Sequence, residues 1–314
     1  MIPLLIDCDP GHDDSMAILY AAKHFELRGL TTVFGNSIVE NTTRNALKIC
    51  ELAGLDIPVA GGIGAPLVGS FAPSMIHGAS GLDGADLPEP KRRPVDMHAV
   101  TMIIEQAKKA EGELVLAAIG PLTNVAVALR TEPRLARWLK CITIMGGSLD
   151  IGNAAPYAEA NILKDPEAAA AVFSCDAEIY LAGLNFTRQA ILDRSHVELL
   201  RRAGGAVPET VAGMLDFYLT RNEARYGRPI SPMHDPSAFV PFVRPDLVEH
   251  KPFHIQVELA SPLLRGMTVA DQRNVTRRPD EPEPPRANVM AGIRMDGPAA
   301  TRHVIETIAS YGRG

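Results

Sequence analysis

The chain has 314 residues, of which 46% are hydrophobic and 22% charged, a profile that suits a soluble globular protein with a sizeable core. Its formal net charge of −6, with no basic block, excludes the positive face that nucleic acid requires, and no stretch nears the ~20 apolar residues of a membrane helix. The N-terminus lacks a basic segment followed by a long apolar run, and Cys8, Cys50, Cys141 and Cys175 form no Cys-x-x-Cys pair, so a cytoplasmic protein with free thiols is expected.

A strand at 4–6 opens the chain and runs into Asp7, Asp9, Asp13 and Asp14. A helix is expected at 13–27, with carboxylates at the end that the helix dipole favours. A strand at 29–34 follows, then an amphipathic helix at 40–53 and a short strand at 57–60. The rhythm then repeats: a helix at 97–110, a strand at 114–119, a helix opening at Pro121 and ending near Arg130, and a strand at 141–145. Asp165-Pro166-Glu167 caps an Ala-rich helix to Ser174, and a strand at 178–182 comes next. This alternation predicts one α/β domain over 1–314, a mostly parallel, Rossmann-like open sheet flanked by helices. Beyond Thr187 two consecutive helices, 195–202 and 208–224, predict a small helical lid over about 195–232. Residues 253–295 read as edge strands around a loop, and 296–310 as a closing helix. Of three long loops, 61–94 and 146–164 are candidates for function, whereas the Pro-dense 277–286 reads as an exposed turn.

Four carboxylates within eight residues repel one another and are costly to desolvate. No Lys or Arg precedes Lys23, so the local sequence offers no basic partner and a cation is the reading to test. Carboxylate oxygens without a His or Cys cluster suit calcium or magnesium rather than zinc. In an open parallel sheet, ligands bind beyond the carboxyl ends of the strands. Asn36, Gly120 to Asn124 and Gly146-Gly147 all follow strands in the same way as the aspartates, so one crevice should collect them. Asp-x-Asp after a strand also occurs in aspartyl phosphatases, but Gly11 stands where those enzymes carry Thr or Val.

The motif Asp7-Cys8-Asp9-Pro10-Gly11-His12-Asp13-Asp14 resembles the signature of the nucleoside hydrolases, the inosine/uridine-type N-ribohydrolases. Further matches follow in order: Val33-Phe34-Gly35-Asn36, His77-Gly78-Ala79-Ser80-Gly81-Leu82, Gly120-Pro121-Leu122-Thr123-Asn124 and Met145-Gly146-Gly147. Gly152-Asn153, Ala158-Glu159-Ala160-Asn161, Asp165-Pro166-Glu167-Ala168 and His234-Asp235-Pro236 complete the set.

The resemblance implies Ca²⁺ at the bottom of the pocket, held by Asp9, Asp14, Asp235 and the Thr123 carbonyl, where it would bind the ribose 2′- and 3′-hydroxyls and the attacking water. It also implies Asp9 as general base toward that water, an oxocarbenium-like transition state, and His234 as the group assisting protonation of the leaving base. Asp13, Asn36, Asn153, Glu159 and Asn161 would grip the ribose, with Asn153 and Glu159 around the 5′-hydroxyl. Met145 would pack on the sugar, His77 would contact the base region, and Tyr226 in the lid would stack on the base, protonate it, or simply pack. Asp7 has a supporting role, and His12 fills a variable place in the signature. The substrate implied is a small ribonucleoside such as inosine, uridine or cytidine, and relatives of this kind are homodimers or homotetramers. Two alternatives remain: a ribohydrolase for a modified nucleoside, or a metal-dependent nucleoside- or sugar-binding protein without catalysis. Asn185 stands where relatives often carry Asp, at a place that is not a ligand.

Overall fold

Leu4, Leu5 and Ile6 are fully buried because helices cover both faces of their strand: Leu4, Ile6 and Cys8 enter one apolar layer, and Leu5 enters the other. Burying one such side chain contributes about 1.5–3 kcal/mol. The computed structural model describes residues 1–74, 76–78, 80–273, 283 and 285–312.

In chain order, β1 (Pro3–Cys8) is followed by α1 (His12–His24), β2 (Glu26–Thr32), α2 (Val39–Leu52) and β3 (Val59–Gly61). A long loop leads to α3 (Ala99–Ala110), β4 (Leu114–Ala118), α4 (Thr123–Thr131), α5 (Leu135–Trp138) and β5 (Leu139–Met145). Then come α6 (Ala160–Lys164), α7 (Pro166–Phe173), β6 (Ile179–Ala182), α8 (Leu184–Thr187) and β7 (Ile191–Asp193). Two consecutive helices, α9 (Arg194–Ala203) and α10 (Ala206–Tyr226), precede β8 (Ile230–Pro232), which pairs antiparallel with β7. The chain closes with α11 (Val240–Val243), β9 (Val248–Phe253), β10 (Ile255–Val257), β11 (Thr268–Ala270), β12 (Val289–Met295) and α12 (Gly297–Ala309).

The main sheet has eight strands in the order β3-β2-β1-β4-β5-β6-β12-β9. Every neighbouring pair is parallel except β12 and β9. The fold is therefore a single α/β domain with a mostly parallel sheet flanked by helices. The strand order reverses between β1 and β4, and the aspartates leave β1 at that reversal. Open sheets bind ligands in such a crevice.

Three local expectations need correction. The first helix stops at His24 rather than 27, because Phe25 turns extended and Glu26 and Leu27 pair with Pro3 and Leu4. Sheet pairing outweighs the helical propensity of those residues. The helix expected to open at Pro121 begins two residues later, at Thr123. The 253–295 region is not all edge: β12 is an inner strand between β6 and β9, while β10 and β11 form a separate hairpin. Of the expected surface turn 277–286, only Glu283, Pro285 and Arg286 are described, and the rest of it lies outside the described residues. No described helix is long and apolar enough to cross a membrane.

Candidate active site

Asp7 points away from the crevice. Its Oδ1 accepts from Thr31 Oγ1 (2.6 Å) and Asn124 Nδ2 (2.9 Å), which ties β1 to β2 and α4. Burial pushes its carboxyl up to about 7 against the pull of those two donors. Asp9, just past the end of β1, lines the crevice and is almost fully buried. Its Oδ2 accepts the Asn36 backbone N–H at 2.7 Å. Gly35, at φ 157°, and Gly120 let the backbone pass against this carboxylate, and a Cβ at Gly35 would collide with Asp9 Oδ2. Asp14 is fixed by donors: Asp9 N–H at 3.1 Å to Oδ1, with Gly11 N–H at 2.9 Å and Asn36 Nδ2 at 3.2 Å to Oδ2.

Asp13, Asp14 and Asp235 are all buried, and each offers an oxygen within 4.8 Å of the others. Asp13 Oδ1 has no hydrogen-bond partner among the described residues. Burial, then mutual repulsion, raises the carboxyls of Asp9, Asp14 and Asp235 above the usual range, Asp14 to about 7. An oxygen-seeking cation relieves both burdens, so the donor set fits a divalent metal ion. The compact triad contains Asp13, read from the sequence as a sugar contact. Asp9 lines the cavity beside it, and Thr123 opens α4 with its hydroxyl donating to Asp165 Oδ2 at 2.6 Å.

Asp9, Asp13 and Asp235 line a cavity of about 1180 Å³ that also takes in Asn36, His77, Met145, Asn153, Glu159, Asn161, Tyr226 and His234. Asn161 gives its Nδ2 to the carbonyls of Ile119 (2.9 Å) and Met145 (3.2 Å), at the ends of β4 and β5. That fixes the amide's orientation and leaves Oδ1 as the acceptor. Glu159 caps the helix that carries Asn161, accepting N–H bonds from Asn161, Ile162 and Gly147 at 2.9–3.1 Å. Burial raises its carboxyl and those donors oppose the rise. Asn153 Oδ1 accepts Ala160 N–H at 3.0 Å, binding the 146–164 loop to the same helix.

The family model for the inosine-uridine preferring nucleoside hydrolases matches residues 4–299. The chain belongs to this family. It is 34% identical over 296 residues to the pyrimidine-specific ribonucleoside hydrolase RihB of Escherichia coli O1:K1 / APEC, which covers 93% of this chain and 92% of that protein. Among solved structures it resembles a purine-preferring ribonucleoside hydrolase from Gardnerella vaginalis, with a TM-score of 0.91, 33% identity and 99% of both chains covered. The plant nucleoside hydrolase PpNRh1 superposes with a TM-score of 0.90 at 32% identity, covering 98% of this chain and 99% of that one. The protein is thus a nucleoside hydrolase, an enzyme acting on the N-glycosidic bond of ribonucleosides.

Around this hydrolase site stand residues that sequence reasoning passed over. Lys164 lies 3.7 Å from Asp9 Oδ2, with its side chain 13% exposed, so a basic partner absent from the local sequence arrives from 155 residues away. Its spacing was a usable signal, because Asn161 and Lys164 are three apart on one helix and share a face. His12, given no role, packs its ring 4.9 Å from that of His77, with Nδ1 atoms 3.0 Å apart, while its Nε2 donates to Asp83 O at 2.7 Å. Burial lowers both imidazoles to about 3 and keeps them neutral. Tyr218, not Tyr226, is the buried aromatic of α10, with its ring 5.3 Å from His77. Tyr226 is 61% exposed at the cavity rim, under the Arg225 guanidinium. Ala79 of the His77 motif lies outside the described residues. Asn185 accepts Leu149 N–H and donates to Gly292 O, a structural tie.

Proposed function

We propose that the protein is a calcium-dependent hydrolase of inosine-, uridine- and cytidine-type ribonucleosides, releasing free base and ribose. The observation that carries this reading is one cavity lined by Asp9, by Asp13 and Asp235 of the three-carboxylate cluster, and by Asn161, Glu159 and His234. Asp9, Asp14, Asp235 and the Thr123 carbonyl would hold Ca²⁺, with Asp13 close enough to share in it. Bound there, Ca²⁺ supplies a positive field that orients the ribose diol and lowers the pKa of the attacking water. Asp9 takes a proton from water as the hydroxyl adds to C1′, and the electron pair of the C1′–N bond leaves with the base. Positive charge growing on the sugar is met by the carboxylates and by Asn161 Oδ1. Glu159 and Asn153 enclose the 5′-hydroxyl, and Met145 packs beneath the ring. His77 and the C-terminal half of α10, with Tyr226, border the space left for the base. Four free thiols, three of them buried, support a reducing, cytoplasmic setting.

A ribose-release assay over a nucleoside panel tests this. Inosine, uridine or cytidine should yield ribose without phosphate, and the 2′-deoxynucleosides should fall by roughly 10³-fold or more in kcat/KM, because the site is built to bind the missing hydroxyl. Preferred cleavage of 5′-phosphorylated nucleotides would contradict the enclosed 5′-hydroxyl. His234→Ala should lower turnover of inosine and uridine by about 10²-fold and leave p-nitrophenyl riboside, whose leaving group needs no help, nearly unchanged. Equal losses on both substrates would remove His234 from the leaving-group role.

A further inference from the structure

His234 lines the cavity, and its main chain is pinned on both sides. Met233 N–H donates to Ala190 O at 2.8 Å, and Ser237 N–H donates to His234 O at 3.1 Å. Its Nδ1 lies 2.8 Å from Thr187 Oγ1. Thr187 is fully buried at the end of α8. That short helix is itself fastened to β12, since Asn185 Nδ2 donates to Gly292 O at 2.9 Å and Gln189 Nε2 bonds both Asn185 O and Ile293 O.

We propose that Thr187 is a positioning residue that holds His234 in the tautomer with its proton on Nε2, so that the ring donates a hydrogen bond to the departing base. This rests on the ribohydrolase reading above and goes beyond it. A hydroxyl carries one hydrogen, and Thr187 Oγ1 makes no other hydrogen bond among the described residues. Were Nδ1–H the donor, the Thr187 hydrogen would be buried without an acceptor, a loss larger than the gain of an ordinary hydrogen bond. The hydroxyl therefore donates, Nδ1 accepts, and a neutral imidazole keeps its proton on Nε2. Nε2 makes no hydrogen bond among the described residues and is available to a ligand in the cavity. The base then leaves with the C1′–N electron pair, Nε2–H meets its charge, and the proton that finally neutralises it comes from water. The ring acts as a fixed donor, preorganised by β12 through α8.

Thr187→Val keeps the shape and removes the hydroxyl. Its kcat for inosine and uridine should fall about tenfold to hundredfold with KM little changed, as losses of outer positioning groups do. Thr187→Ser should restore turnover, and p-nitrophenyl riboside should change less than about twofold in either variant. Nitrogen-15 NMR of histidine-labelled protein, with the His234 signal assigned by His234→Asn, should show the Nε2–H tautomer in the wild type and a mixture in Thr187→Val. Equal losses on nucleoside and p-nitrophenyl substrates would reduce Thr187 to packing and overturn the proposal. So would unchanged nucleoside turnover in Thr187→Val, or an Nδ1–H signal in the wild type. A wild-type enzyme inert to every nucleoside would strike the ribohydrolase reading and with it the role of Nε2–H, while the tautomer signal, read without substrate, would stand.

Discussion

Asp9→Ala should reduce ribose release by about 10⁴-fold or more, because one carboxylate would both accept the water's proton and help hold the cation. The residue reaches the reaction on a rigid strand, with Asn36 N–H on Oδ2 and two glycines closing round it. That setting makes Asp9→Asn the sharper variant, since the amide keeps the volume and one acceptor oxygen for Asn36 N–H while losing the charge and the basicity. Its folded state is checked by circular dichroism and its metal content by elemental analysis. An Asp9→Asn protein that retains calcium and turns over at the wild-type rate would remove the general base from the mechanism.

Stripping the cation should have a second large effect, visible without any substrate. Asp13, Asp14 and Asp235 are buried within 4.8 Å of one another, and Asp9 lies beside them with Lys164 as its nearest cation. Adding a chelator should therefore abolish turnover and lower the thermal midpoint by several degrees, and Ca²⁺ should restore both. A ligand present at 1,000 times its Kd stabilises the folded state by about 4 kcal/mol, which sets the scale of the shift. Mg²⁺ should restore less, since it demands near-ideal octahedral geometry and gives up its water reluctantly. A chelated enzyme with unchanged midpoint and unchanged activity would sink the cation reading.

What could be read from the sequence was whatever the chain writes locally. The aspartates at the end of an apolar strand, and the groups that follow three further strands in the same way, point to the crevice from sequence alone. Asp165 was read as a cap and accepts Ala168 N–H at 3.1 Å. What could not be read depends on which strands become neighbours. β12 enters the sheet beside β6 more than a hundred residues after that strand, so its inner position leaves no local mark. The same holds for Lys164 against Asp9 and for Thr187 against His234, pairs made by the sheet order and by the seating of short helices. By sequence Tyr226 in the lid is the candidate beside the base; the turn of α10 that faces His77 carries Tyr218 as well.

Asp165 does more than start a helix. Its fully buried carboxylate accepts from Ala168 N–H, from the Thr123 hydroxyl and, at 2.9 Å, from the Leu67 N–H of the long loop after β3. Ser70 and Phe71, a few residues beyond that anchor, line the cavity, and Phe71 rests on Phe34 with ring centroids 4.5 Å apart. The loop that lines the cavity through Ser70 and Phe71 and the proposed cation-bearing end of α4 are thus moored to the same post. A disturbance at Asp165 would reach both together, which would couple the wall of the cavity to the proposed cation site.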